Sequence, residues 1–152
     1  MFHAEHSPCN NLRYSIEMSK WTWDRRDHQP PNVSDFEAGL IIGVFIGEVH
    51  FGGDNRQPHV VLKLRDKDVG ILQWVQARLP GGKLYGPYSY VYKSDGRTRN
   101  FCQLMYRGRA LRDQLIPFLE AYAWADIAPR VHERYLAMKA KYGLDEGAPP
   151  TV

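Results

Sequence analysis

Glu48 stands at the end of the most apolar stretch of this sequence, following three glycines spaced four apart at Gly39, Gly43 and Gly47. If the stretch is a helix, that spacing puts the glycines on one stripe. A carboxylate at the C-terminal end of such a helix meets the negative end of its macrodipole, which is unfavourable by up to about 1 kcal/mol. A cation that the carboxylate must hold explains its placement. Each glycine in a helix interior costs about 0.5–1 kcal/mol relative to alanine, so three on one face point to close approach of another element. Two readings are open. The glycines accommodate bulky neighbours such as Trp74 within the monomer, or they receive the same helix of a second copy across a two-fold axis. Glu48 favours the second, because two carboxylates meeting at the bottom of the helix pair would need a divalent metal, or one would be protonated.

The second chemical feature is a concentration of positive charge. Residues 1–49 carry four Lys/Arg against seven Asp/Glu, residues 50–112 twelve against four, and residues 113–152 four against six, giving −3, +8 and −2. The formal charge of +3 over 152 residues therefore hides a basic middle segment between acidic flanks. A phosphate backbone would be attracted to it, and a solvated surface is the alternative.

The elements that must position these groups follow from periodicity. Ser34 and Glu37 form a capping box, predicting a helix from about Asp35 to Gly47. Val49–Gly52 and His59–Leu64 read as a hairpin around Gly53-Asp54-Asn55. A helix from about Lys67 to Leu79 presents Val69, Leu72, Trp74, Val75 and Leu79, and Pro80-Gly81-Gly82 stops it. Lys83–Tyr92 and Arg99–Arg107 form a second hairpin around Lys93-Ser94-Asp95-Gly96. A third helix spans about Ala110–Tyr122, bent at Pro117, and a fourth about Pro129–Tyr142, closed by Gly143. The order α-β-β-α-β-β-α-α predicts an α+β fold: a four-stranded antiparallel sheet with helices on one face, and an open face built from the basic segment. Residues 1–33 read as an extension with one short helix around Tyr14–Trp21, residues 34–143 as the domain, and residues 144–152 as a frayed tail. His3, His6 and Cys9, spaced three apart, read as an accidental cluster in a mobile terminus rather than a metal site.

Other classes are excluded. Cys9 and Cys102 are too few and too far apart for a disulfide framework. The apolar run Ala38–Gly47 is ten residues where a bilayer needs roughly 20, and it lies too far from Met1 for a signal peptide, so an intracellular protein that neither spans a membrane nor is secreted is expected. No phosphate-binding glycine loop or nucleophile elbow is present.

Ile41-Ile42-Gly43-Val44-Phe45-Ile46-Gly47-Glu48-Val49-His50-Phe51 resembles the LAGLIDADG motif of homing endonucleases in the form L-A-G-L-I-D-G-D-G-H-F. Leu115-Ile116-Pro117-Phe118-Leu119 and the order αββαββα are similar to that family as well, and the resemblance covers about 109 residues, Ser34 to Tyr142. It implies a homodimer whose motif helices pack at the two-fold axis and whose saddle-shaped sheets enter the DNA major groove. It also implies site-specific cleavage of a pseudo-palindromic double-stranded target. Glu48 would bind Mg²⁺ or another divalent cation at the scissile phosphates, where metal generates hydroxide and stabilises the developing charge. The alternative is a non-catalytic nucleic-acid binder of the same fold, an intron RNA maturase or a DNA-binding regulator.

The sequence departs from the motif at Ile46, where the family has an acid, and at Val49, where it has glycine. Asp66 is the nearest match to the polar residue that the family places near the active-site water, with helix capping as its other reading. The family's pocket lysine has no counterpart in Glu120-Ala121-Tyr122, and Arg130 or His132 is the substitute expected here.

With Glu48 facing DNA, period two places His50 and Gly52 on the same face and Phe51 in the core. In the second strand Val60, Leu62 and Leu64 point inward, and His59, Val61, Lys63 and Arg65 outward. Lys83 and Tyr85 on the third strand, and Arg97, Arg99 and Gln103 on the fourth, join them as expected DNA contacts, with Arg56 at a hairpin tip. Tyr85, Tyr88, Tyr90 and Tyr92 differ in parity, so some of them must simply pack.

Overall fold

The computed structural model describes residues 32–144. The expected helix at Tyr14–Trp21, the His3/His6/Cys9 cluster and the tail beyond Leu144 lie outside the described residues. The elements are α1 (Asp35–Glu48), β1 (Val49–Gly53), β2 (Pro58–Arg65), a 3₁₀ turn (Asp66–Asp68), α2 (Val69–Arg78), β3 (Lys83–Val91), β4 (Thr98–Arg107), a π-helical turn (Ala110–Leu115), α3 (Ile116–Glu120) and α4 (Pro129–Lys141). The four strands form one antiparallel sheet in the order β1-β2-β4-β3. No helix among the described residues is long and apolar enough to cross a membrane.

Local chemistry accounts for the boundaries. The Ser34 hydroxyl accepts from the Glu37 N–H at 3.1 Å and the Glu37 carboxylate accepts from the Ser34 N–H at 3.0 Å, the reciprocal box that starts α1. Val33, expected in the arm, is instead buried, in the position where a hydrophobic staple fixes the chain's entry into a helix. At the other end Gly143 takes φ +66° and Leu144 donates to the Lys139 carbonyl at 2.8 Å. That left-handed cap turns the chain back, so Leu144 is buried rather than frayed.

Two elements differ from expectation. Asp66 is not the cap of α2: it opens the 3₁₀ turn, and α2 starts three residues later with no side-chain cap bond. The third helix is not a bent α-helix. Pro117 has no N–H for the preceding turn, and the chain passes it by widening into the π-helical turn before resuming α geometry.

The core lies between one sheet face and the helices. Val49, Val60, Leu62, Cys102, Leu104 and Tyr106 from the strands meet Ile41 and Phe45 of α1, Leu72 and Val75 of α2, Phe118 of α3 and Tyr135 of α4. The Tyr106 hydroxyl donates to the Leu79 carbonyl at 2.7 Å in this interior, and burial pushes its phenol well above the ordinary range. Arg78 stacks on Trp74 at 4.0 Å and pairs with Glu37, tying the end of α2 to the start of α1. The Tyr142 hydroxyl accepts from the Asn55 N–H at 3.3 Å and Lys141 donates to the Asn55 side chain at 3.1 Å, which pins α4 to the β1–β2 hairpin. Gly53 leaves room for this, since a Cβ there would lie 2.1 Å from the Tyr142 hydroxyl.

Candidate nucleic-acid interface

Strand register sorts the open face into rows. Gly52 pairs with His59 and His59 with Arg107; His50 with Val61, Val61 with Met105, and Met105 with Lys83; Lys63 with Gln103 and Gln103 with Tyr85; Arg65 with Phe101 and Phe101 with Tyr88; Arg99 with Tyr90. Cross-strand partners share a face. Eight of the residues expected to meet DNA, namely His50, His59, Lys63, Arg65, Lys83, Tyr85, Arg99 and Gln103, are therefore gathered on the face opposite the core. Arg56 lies exposed in the β1–β2 turn, and Arg97 in the β3–β4 turn, where its carbonyl accepts from the Tyr92 N–H at 3.0 Å. Phe101 and Met105 also belong to this face, and Leu104 to the core. Arg107 is a member that the sequence reading missed, although its odd-numbered parity with Arg99 and Gln103 in β4 marks it.

Val61 points outward as expected and is nevertheless buried, because its neighbours His50 and Met105 flank it on adjacent strands. The tyrosine parity resolves at a bulge. The four β3 residues from Tyr85 to Tyr88 stand opposite the three β4 residues from Gln103 to Phe101, so the face that holds Tyr85 continues with Tyr88 and Tyr90.

Glu48 sits at the exposed C-terminal end of α1, whose last turn contains no basic residue. The strand starts at once: Val49 takes φ −73° and ψ 139°, extended backbone that needs no glycine. Glu48 lines a depression of about 720 Å³ whose floor is the open face, together with His50, His59, Lys63, Gln103 and Arg134. It makes no hydrogen bond or ion pair with another described residue. Arg134, unremarked in the sequence, reaches this place because α4 flanks edge strand β1 with Tyr135 packed on Phe51 at 5.9 Å. Arg130, one turn earlier on α4, is exposed and does not line the depression. His132 packs on Trp124 at 5.0 Å and on Tyr135 at 5.9 Å, within the aromatic cluster. Asp66 does not line the depression either. No lysine follows α3 at the site, and the buried Lys139 is committed to Glu120.

No group of three or more His, Cys, Asp or Glu poised for a metal occurs among the described residues. Among the described residues, Glu48 is the carboxylate that lines the depression, an oxygen donor suited to a hard dication whose remaining ligands would come from elsewhere.

The glycine stripe faces outward. A Cβ added at Gly39, Gly43 or Gly47 would meet nothing within 4 Å among the described residues, so the glycines do not accommodate Trp74, which lies under Arg78 instead. On the same side of α1, Phe36 is 75% and Leu40 46% exposed.

His50 and His59 converge over Gly52, where an added Cβ would lie 2.6 Å from one imidazole and 3.3 Å from the other. Burial, then the charges of His50 and Arg107, hold His59 below the usual imidazole range, partly offset by Asp54. Asp54 itself is held low by accepting from the N–H groups of Gln57 at 2.7 Å and Arg56 at 2.9 Å.

No family model matches this sequence, and no curated protein matches it. Among solved structures, the group I intron-encoded homing endonuclease I-CeuI, complexed with DNA, superposes with a TM-score of 0.56 at 17% sequence identity. The match covers 73% of this chain and 56% of that one, so the chain spans little more than half the length of its structural neighbour. The likeness is one of fold: a four-stranded antiparallel sheet with helices, the α+β architecture expected from the element order and the LAGLIDADG fold that the motif resemblance implies.

Proposed function

We propose that this chain is a site-specific, metal-dependent DNA endonuclease of the homing type that works as a homodimer on a pseudo-palindromic duplex. The observation that carries the reading is Glu48: an exposed, uncommitted carboxylate at the end of an outward-facing glycine stripe, on the rim of a basic sheet face. Docking α1 of a second copy on the stripe covers Phe36 and Leu40 and brings a second Glu48 close. The neighbour's complex with DNA supports the choice of partner.

Mg²⁺ or another divalent cation, held by Glu48 and phosphate oxygens, would supply charge neutralisation and a lowered water pKa at the scissile bond. The chain's own residues supply the rest. Arg134 and Lys63 donate charged hydrogen bonds to phosphate oxygens and fix the backbone across the depression. Gln103 hydrogen-bonds a water there, and His50, His59 and Arg65 present donors to base edges or phosphates. Intracellular residence fits such a substrate.

Incubation of the protein with a plasmid library of randomised inserts, in MgCl₂ and in EDTA, tests the reading. Enriched cut sites with two-fold symmetry are expected in MgCl₂ alone. Binding without cleavage is the second reading, that of a maturase or regulator, favoured by one observation: Glu48 is the only acid lining the depression among the described residues.

A further inference from the structure

The distal half of the open face carries rings that a duplex does not need. Tyr88 and Tyr90 are 51% and 54% exposed, Tyr88 stands beside Phe101, and Tyr92 meets Tyr90 at 5.2 Å and Phe101 at 6.4 Å. Cations are set among them: Lys63 lies 4.5 Å over Phe101, and Arg99 lies 4.5 Å over Tyr92 while pairing with Asp95 at 3.3 Å. The bulge is what brings Tyr88 and Tyr90 onto this face, and Gly86 is required for it. Gly86 takes φ +107°, and a Cβ there would lie 2.7 Å from the Phe101 carbonyl oxygen.

A B-form major groove presents base edges, with every base face already stacked inside the helix. Exposed tyrosine faces interleaved with basic groups match unpaired bases on a phosphate backbone, which stack on aromatic rings while cations track the phosphates. We propose that Tyr88 and Tyr90, backed by Tyr92 and Phe101 and set beside Lys63 and Arg99, form a stacking platform for unpaired nucleotides, so that the chain binds a single-stranded segment of DNA or RNA on the sheet that also faces duplex. This rests on the open face meeting nucleic acid, and not on cleavage by Glu48.

The test is fluorescence anisotropy of the full chain with labelled oligo-dT, oligo-rU and mixed-sequence duplex, for wild type, Tyr88→Leu/Tyr90→Leu and Tyr88→Phe/Tyr90→Phe. The leucine pair is expected to lose about tenfold or more of its affinity for unpaired strands, the scale of base–ring stacking, with duplex affinity within about twofold. The phenylalanine pair, which keeps the rings, is expected to bind unpaired strands as the wild type does. Binding of oligo-dT or oligo-rU supports the platform, and the preference names DNA or RNA as its source. Wild type that binds duplex and neither single strand overturns the inference while leaving the proposed function standing. Equal losses on duplex and single strands in the leucine pair, or no loss on either, overturn it as well.

Discussion

Glu48 and Arg134 line one depression, the first from the last residue of α1 and the second from α4 beside edge strand β1. A carboxylate suited to a dication and a guanidinium suited to phosphate thus line the same depression where the basic face begins. Arg134→Ala is expected to weaken duplex binding about tenfold or more, the scale of a lost charge-assisted hydrogen bond of about 1.5–3 kcal/mol. Arg130→Ala, one turn away, is expected to leave affinity unchanged. Anisotropy titrations at fixed salt decide, and equal effects of the two substitutions would remove Arg134 from the site.

The same face predicts a salt dependence. Lys63→Ala should reduce the slope of log affinity against log salt by about one, because one phosphate contact and its counterion release are lost. An unchanged slope would place Lys63 off the backbone.

His59 makes binding sensitive to pH. Burial and the nearby His50 and Arg107 keep its imidazole neutral in the free protein at pH values where an ordinary histidine, with a pKa of about 6.5, begins to charge. A phosphate nearby favours the charged form, so binding takes up a proton and affinity rises as pH falls below about 6.5. Stability moves the opposite way: the unfolded chain binds more protons there, so the unfolding free energy decreases as pH falls through the same window. His59→Gln should flatten the affinity profile. A wild-type profile already flat would show that His59 stays neutral on DNA.

Gly43→Leu tests the outward stripe. None of the described residues lies within 4 Å of the added Cβ, and leucine is the better helix former, so the protomer should fold. Sedimentation should show a dimeric wild type and a monomeric variant. A monomeric wild type would leave the stripe without its partner.

Tyr106→Phe removes the buried donor to the Leu79 carbonyl and should lower unfolding free energy by about 1–3 kcal/mol in denaturant titrations. Variants of the open face should melt as the wild type does.

Local chemistry was legible in the sequence, and pairing was not. Ser34 and Glu37 announce α1, Gly143 announces the end of α4, and the alternation from His59 to Arg65 announces which side chains of β2 turn outward, because each depends on residues a few positions apart. Tyr88 and Tyr90 change face through a bulge that exists only in the pairing of β3 with β4. Val61 is buried by side chains of two neighbouring strands, and Arg134 replaces Arg130 at the depression because of where α4 lies against β1. The π-helical turn before Pro117 answers a missing N–H with a widened turn, where the sequence alone suggested a simple bend. The glycine stripe was legible as a stripe, and only the fold shows that it faces outward.

In the proposed function, Glu48 carries the chemistry and not the grip. Cleavage and binding of one selected duplex, by wild type and Glu48→Gln in MgCl₂, measure this directly. Affinity within about twofold is expected, since the substitution removes no phosphate donor, with a loss of cleavage of about a thousandfold or more, a large share of what metal-assisted chemistry supplies. A Glu48→Gln protein that cuts as the wild type does, or a wild type that binds the duplex and never cuts it, would contradict it.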